Sequence, residues 1–386
     1  MTNALPDRWR AIGPYVAALL IFLTSRMVVY FAIQFATRFT PRNNVEAWDG
    51  GTYWYHHLLR WDASWYYSIL LNGYHFSGDN LVQQPVIFFP LYPLIARFVS
   101  FVPGVDGYKA LLIVANVAAV LAVLALFNLV RADRGDEVAL TTVAFLSFFP
   151  TSFFLSTGYA ESLTLLLMLC FFLLLRKEYY IAAATVAGLA LAARATAILL
   201  LPVLLWEFWR RRGNHRNQIF LYALLSMLAT SGLLVYMIFL WAAFGHPLAF
   251  ATNRAAWMGG NTIGTGLLDA VMLKPIQLKF PWSLGPTLWD PWFFASFFLL
   301  SVVYWRRLSP SLALFGLGVV LLPYLMLSGG QGFVGMSRFL LLAFPVFIIA
   351  ADLTKGRVWF GASLLGLSAA MLFAYTAMFS QSYWVG

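Results

Sequence analysis

Apolar positions in this chain fall into long unbroken runs rather than into an alternating or one-faced pattern. They lie near 12–37, 108–131, 138–155, 158–176, 180–193, 196–209, 217–243, 290–305, 309–328, 338–353 and 357–380. About 20 apolar residues cross the hydrocarbon core of a bilayer as a helix, and a helix satisfies its own backbone groups there. The pattern predicts an all-α polytopic membrane protein with about 11 transmembrane helices, forming one transmembrane domain over 1–386. Segment 86–101 is apolar too, but Pro85, Pro90 and Pro93 break it repeatedly. Proline interrupts helices, so this stretch is expected to be interfacial or re-entrant rather than spanning.

The polar breaks between the runs orient them. Basic clusters occur at Arg8/Arg10, Arg131/Arg134, Arg176/Lys177, Arg210/Arg211/Arg212/Arg216, Arg306/Arg307 and Lys355/Arg357. Short loops rich in Arg and Lys stay cytoplasmic. With the N-terminus inside, every cluster falls inside, provided that 180–209 forms two short helices turning at Arg194. A single helix there would send the triple arginine outside and leave a charge in mid-membrane, at a cost of about 2.5–3.5 kcal/mol on insertion scales. The polar N-terminus, Met1 to Arg10, lacks a cleavable signal pattern, so the first run is expected to be a retained span. The extracytoplasmic face then receives two long loops, about 38–107 and 244–289, with short turns near 156–160, 194–195 and 329–337. These outer loops hold acids, histidines and tryptophans, and loops on a rigid scaffold are where function concentrates.

Composition closes off the soluble alternative. Hydrophobic residues make up 61% of the chain and charged residues only 10%, against about 25% in a soluble domain. A net charge of +10 would suggest nucleic acid in a soluble protein, but here the basic residues sit beside apolar runs. The bilayer is the expected partner, with no nucleic acid. The single cysteine, Cys170, allows no disulfide within the chain and no Cys-based metal site. His56, His57, His75 and His246 do not fall at metal-ligand spacing, and the first loop has no Asp-x-Asp pair. Gly329-Gly330-Gln331-Gly332 lacks the Lys-Ser/Thr ending of a phosphate loop and is expected to be a flexible turn. No metal and no cofactor is expected.

The first outer loop carries Arg60-Trp61-Asp62-Ala63-Ser64-Trp65-Tyr66-Tyr67, then Asn72-Gly73-Tyr74 and Phe88-Phe89-Pro90-Leu91-Tyr92-Pro93. Asp62 lies among aromatics, where burial can adapt a carboxylate to general-base work; one carboxylate suffices for a single inverting displacement. The alternative is an interfacial acid paired with Arg60. Glu161 follows Tyr159 at the outer end of a helix, either holding an acceptor or sitting favourably on the helix dipole. Arg194 and Arg338 border apolar helices; each needs an anion, such as a lipid phosphate or a protein carboxylate such as Glu161. Arg26 lies inside the first span, as a phosphate ligand or as a snorkelling side chain. Arg60, Trp61, Trp65 and Tyr159, beside the two acids, join Glu161 as candidates for positioning acceptor or sugar.

These motifs resemble the PIG-V-like mannosyltransferases, integral-membrane enzymes of the GT-C type. The resemblance runs through Ser25-Arg26, Arg60-Trp61-Asp62-Ala63, Gly73-Tyr74, Phe88-Phe89-Pro90-Leu91-Tyr92-Pro93, Tyr159-Ala160-Glu161-Ser162, Arg194 and Ser337-Arg338-Phe339, over roughly residues 20–350. It implies a GT-C-like architecture, a polyprenyl- or dolichyl-phosphate-mannose donor, a lipid or glycan acceptor, inverting transfer and Asp62 as catalytic acid or base. Eukaryotic members act on the glycosylphosphatidylinositol precursor and often carry a His three positions after that Asp. Trp65 stands there in this chain, a form closer to bacterial members. Two other classes fit a polytopic chain: a lipid or glycolipid transporter or flippase, and a non-catalytic subunit of a glycan-assembly complex. Transporters often repeat an interrupted helix in both halves, and 180–209 has no counterpart in the second half.

Overall fold

A computed structural model describes residues 7–43, 53–212, 218–257, 289–327 and 335–385. Among them are helices and no strand. In order these are α1 (Asp7–Phe39), α2 (Asp62–Asn72), α3 (Leu91–Val99), α4 (Gly107–Phe148), α5 (Glu161–Arg176), α6 (Tyr180–Ala193), α7 (Leu200–Arg212), α8 (Ile219–Phe244), α9 (Ala249–Thr252), α10 (Asp290–Val303), α11 (Pro310–Leu327), α12 (Met336–Leu340), α13 (Phe344–Thr354) and α14 (Val358–Ser380). Four helices, in α1, α4, α8 and α14, are long and apolar enough to cross a membrane, and further apolar helices are shorter. The predicted Gly329–Gly332 turn and the loop beyond Trp257 lie outside the described residues.

Helix α4 has 42 residues, about 63 Å of helix, twice the depth of the hydrocarbon core. Gly135 resolves the excess. Its φ of 79° and ψ of 178° break the helix, a conformation that costs glycine little, and the chain reverses. Residues 107 and 158, on either side of this hairpin, both pack on the first long loop: a Cβ at Gly107 would meet Tyr67, and one at Gly158 would meet Leu59 and Leu111. The two predicted runs 108–131 and 138–155 are thus a helical hairpin.

The turn at Arg194 is also present. Arg194 is extended (φ −161°, ψ 136°) between α6 and a short 3-10 turn, Ala195–Leu199, that leads into α7. Helix α7 runs back along α6, because the Phe208 and Tyr180 rings meet at 5.1 Å and Arg211 Nη1 reaches Glu178 Oε1 at 2.6 Å. The proline-broken stretch yields only the nine residues of α3, about 13 Å, too short to span.

Charged side chains collect at two opposite ends of the bundle. At one end the predicted inner loops meet each other: Arg131 pairs with Asp136 at 2.6 Å, Arg176 with Asp133 at 2.7 Å, and Arg134 with Asp352. Arg134 also donates to the Arg307 carbonyl. At the other end lie the first long loop, the turn before α5, Arg194 and α12.

Small residues set the closest helix contact, between α6 and α8. A Cβ on Gly188 would run into Leu228 O and Ser231 Oγ, and one on Gly232 into Gly188 O and Ala192 N. Gly188→Ala and Gly232→Ala are each expected to destabilise the bundle by about 1–3 kcal/mol through overpacking. Gly366→Ala, where a Cβ meets nothing within 4 Å, is the control. Thermal unfolding in detergent checks this; equal melting of all three variants would contradict the close approach.

Candidate active site

Four charged residues from four separate segments converge at the loop end. Arg338 lies at the centre. Its Nη1 donates to Asp62 Oδ2 at 2.6 Å and its Nε to Glu161 Oε1 at 2.5 Å. Arg194 Nη1 donates to the same Glu161 oxygen at 2.5 Å. Glu161 is fully buried, Asp62 is 9% exposed and Arg338 6%. Buried charges persist only when paired, and here two carboxylates face two guanidinium groups. The alternative pairing of Asp62 with Arg60 is not seen among the described residues; Arg338 meets Asp62 instead. Arg194 and Arg338 both pair with Glu161, which stands as the first residue of α5, so both its helix-dipole role and its partner role are realised.

Local structure explains how Asp62 is presented. Trp61 adopts φ 54°, ψ −115°, a costly conformation for a residue with a side chain, worth about 1–3 kcal/mol. Tyr159 holds it there: its hydroxyl donates to Arg60 O at 2.8 Å and accepts from Asp62 N at 3.1 Å. The kink turns Asp62 into the first position of α2, where the helix N-terminus favours a negative charge. Its second oxygen, Oδ1, receives no hydrogen bond among the described residues.

Arg338 is fixed from its own side. Its ring neighbours are Tyr159, with the guanidinium 4.5 Å from the ring centroid, and Phe154 at 5.0 Å. Asp290, fully buried at the start of α10, accepts from Gly335 N and Ser337 N, both at 2.9 Å. Thr151 Oγ1 donates to Ser337 O at 2.9 Å. These bonds set the turn from which Arg338 projects.

Three further candidate residues donate to backbone oxygens outside the Asp62–Arg338–Glu161–Arg194 cluster. Arg26 lies against the serines around the end of α4. Its guanidinium donates to Ser152 O (2.7 Å), Ser147 O (3.0 Å), Ser152 Oγ (2.9 Å) and Ser156 Oγ (3.2 Å). It ties α1 to the end of α4, where a helix terminus leaves carbonyls without partners, and to the 3-10 turn Ser152–Leu155 that follows, and does not snorkel. Arg60 is 2% exposed and points to the end of α14: its Nη2 donates to Ser380 O at 3.4 Å, and His57 Nδ1 lies 3.0 Å from the same oxygen. Burial, with the nearby Arg60 charge, pushes the His57 imidazole below its usual range. Tyr159 is fully buried and commits its hydroxyl to backbone. Arg60 and Tyr159 thus hold the loop through backbone oxygens. Trp61 and Trp65 are half-buried; Trp61 meets Trp384 edge-on at 5.1 Å, and Trp65 stacks on Phe88 at 6.0 Å and meets Trp257 at 5.7 Å.

Asp290 and Arg254 were not singled out in the sequence. An Asp-Pro pair at the mouth of an apolar run was the available signal for Asp290. Arg254 belongs to a short 3-10 turn after α9. Burial pushes its guanidinium down to about 10, and the Arg194 charge acts in the same direction. Among the described residues no group of three or more His, Cys, Asp or Glu could hold a metal ion.

Residues 83–239 match the family model of dolichyl-phosphate-mannose-protein mannosyltransferases. No curated protein matches the chain. A crystal structure of an Archaeoglobus fulgidus oligosaccharyltransferase, tethered to an acceptor peptide containing the NVT sequon, superposes with a TM-score of 0.52 at 14% identity, covering 99% of this chain and 56% of that one. The oligosaccharyltransferase AglB of the same archaeon, in complex with an inhibitory peptide and a dolichol-phosphate, gives 0.47 at 14% identity, covering 98% and 56%. The chain thus spans about half the length of these structures. The first superposition covers 99% of this chain and shows a GT-C-like architecture.

Proposed function

We propose that the protein is an inverting glycosyltransferase that moves mannose from a polyprenyl- or dolichyl-phosphate-mannose donor to a lipid or glycan acceptor at the extracytoplasmic face. The observation that carries this reading is the contact of Asp62 with the Arg338–Glu161–Arg194 cluster, on a GT-C-like architecture, at the end of the bundle that the charge pattern of the sequence assigns to the outside. The mannosyltransferase family match over 83–239 supports a lipid-phosphate sugar donor. The motif resemblance to PIG-V-like enzymes narrows the sugar to mannose.

The geometry maps onto a single displacement. The donor's prenyl chain lies among the apolar helices, and its phosphate enters beside Arg194, Arg338 and Arg254. Asp62 takes the proton of the acceptor hydroxyl. The oxygen attacks the anomeric carbon as the bond from that carbon to the phosphate oxygen breaks. The electron pair leaves with the phosphate, whose growing charge the guanidinium groups stabilise. An arriving phosphate competes with Asp62 for Arg338, which would free the carboxylate to face the acceptor hydroxyl. Trp65, Phe88 and Trp257 form an aromatic wall suited to a sugar face.

Purified protein incubated with polyprenyl-phosphate mannose and a membrane lipid extract should give a mannosylated product detectable by mass spectrometry, which also identifies the acceptor. Absence of product, together with movement of the donor lipid between leaflets, would favour the flippase reading. Sidedness has its own test. Ser64, exposed beside Asp62, replaced by cysteine in a Cys170→Ala background, should react with an impermeant thiol reagent added outside intact cells. Labelling only after permeabilisation would place the site on the cytoplasmic face.

A further inference from the structure

A cavity of about 340 Å³ lies far from Asp62, at the basic end of the bundle. One wall is the second arm of α4, whose Glu137, Thr141 and Phe145 face it at helical spacing; the other is the start of α14, with Val358, Gly361 and Leu365. Ile21 of α1 completes the wall, and the turn carrying Lys355, Gly356 and Arg357 forms the rim. From Glu137 to Phe145 the helix rises about 12 Å, and from Val358 to Leu365 about 10 Å. The cavity therefore runs from a charged rim down two apolar helix faces. Trp359, 88% exposed beside the rim, marks headgroup depth, where tryptophan concentrates.

The charges at this rim behave unlike their neighbours. Around them Arg131, Arg134, Arg176 and Arg211 all pair with carboxylates. Glu137 and Lys355 line one cavity, yet neither forms an ion pair among the described residues. Among the described residues the Arg357 side chain makes one long bond, 3.4 Å, to Leu353 O. A carboxylate and two cations held apart above an apolar slot match a zwitterion with an ammonium at one end and a phosphate at the other.

We propose that this groove is a binding site for an amine-bearing glycerophospholipid of the phosphatidylethanolamine type. Lys355 and Arg357 take the phosphate, Glu137 takes the ammonium, and one acyl chain lies along Thr141, Phe145 and Leu365. Gly361 keeps the slot open: its Cβ position is 3.4 Å from Thr354 Cβ, so a larger side chain enters the groove. The site is separate from the transfer centre and does not depend on the proposed reaction.

The test reconstitutes the full chain in nanodiscs containing equal parts of phosphatidylethanolamine, phosphatidylcholine and phosphatidylglycerol, and reads retained lipid by native mass spectrometry. Phosphatidylethanolamine is expected to be retained over phosphatidylcholine by about threefold, the scale of one partly exposed ion pair. Glu137→Gln, an exposed substitution that leaves the fold intact, should abolish that preference. Lys355→Ala with Arg357→Ala should lower retention of both lipids, and Gly361→Leu should empty the groove. Equal retention in the unmodified protein, preference for phosphatidylglycerol, or a preference that survives Glu137→Gln would each overturn the proposal.

Discussion

Asp62→Asn is expected to lower sugar transfer by about 10²–10⁴-fold, the range over which a positioned acid or base contributes, while the protein still folds. The change is close to isosteric, and the amide oxygen can still accept from Arg338, whose other carboxylate, Glu161, remains in place. What is lost is the ability to take a proton. Asp62→Ala should be as inactive but less stable, because it leaves Arg338 with one partner instead of two. Single-turnover transfer from polyprenyl-phosphate mannose, with monodispersity in detergent as the folding control, measures the effect. Turnover at the unmodified rate in Asp62→Asn would remove this carboxylate from the chemistry.

The second large effect is on stability. Arg338→Leu leaves Asp62 and Glu161 without their common cation in a nearly closed site. Breaking a buried ion pair by removing one partner costs about 3–5 kcal/mol, and here two like charges are left facing each other. Arg338→Lys should recover only part of this, because one ammonium cannot reproduce the fixed Nε and Nη1 directions that reach Glu161 and Asp62. Glu161→Gln combined with Arg338→Leu should be less damaging than the sum of the single changes, with a coupling of about 0.5–3 kcal/mol for residues in one network. Chemical or thermal unfolding of the four species closes the cycle. Strict additivity would show that the triad is geometrically close but energetically uncoupled.

The two effects separate the roles within one cluster. Arg338 is the shared cation of two buried carboxylates and a phosphate ligand in the proposed reaction, in which Asp62 takes the proton. Asp290, one step further out, acts on Arg338 through the backbone of Gly335 and Ser337.

The helices were legible because hydropathy is local. A run of apolar residues in lipid has to satisfy its backbone within itself, so α1, both arms of α4, α8 and α14 could be read from their own residues. The hairpin at Arg194 was legible for the same reason, since a charge in mid-membrane is costly and the loop charges required an even number of passages. Asp62, Glu161, Arg194 and Arg338 each drew attention as a charge bordering an apolar run. Their partnership was not legible. Arg338 lies 276 residues from Asp62 and 177 from Glu161, and nothing local to either end specifies the other. Arg26 shows the converse: as an isolated charge in a span it matched Arg194 and Arg338, and only the folded chain shows five serine oxygens accepting from it. The sequence by itself determined that this is a membrane-spanning helical bundle, where its helices run and which charges stand at their ends, because transfer into lipid is decided residue by residue. The tertiary structure alone decided which arginine meets which carboxylate, that Tyr159 braces the backbone around Asp62, and that among the described residues Asp62 bonds through one oxygen, because pairing and burial depend on contacts between segments far apart in the chain.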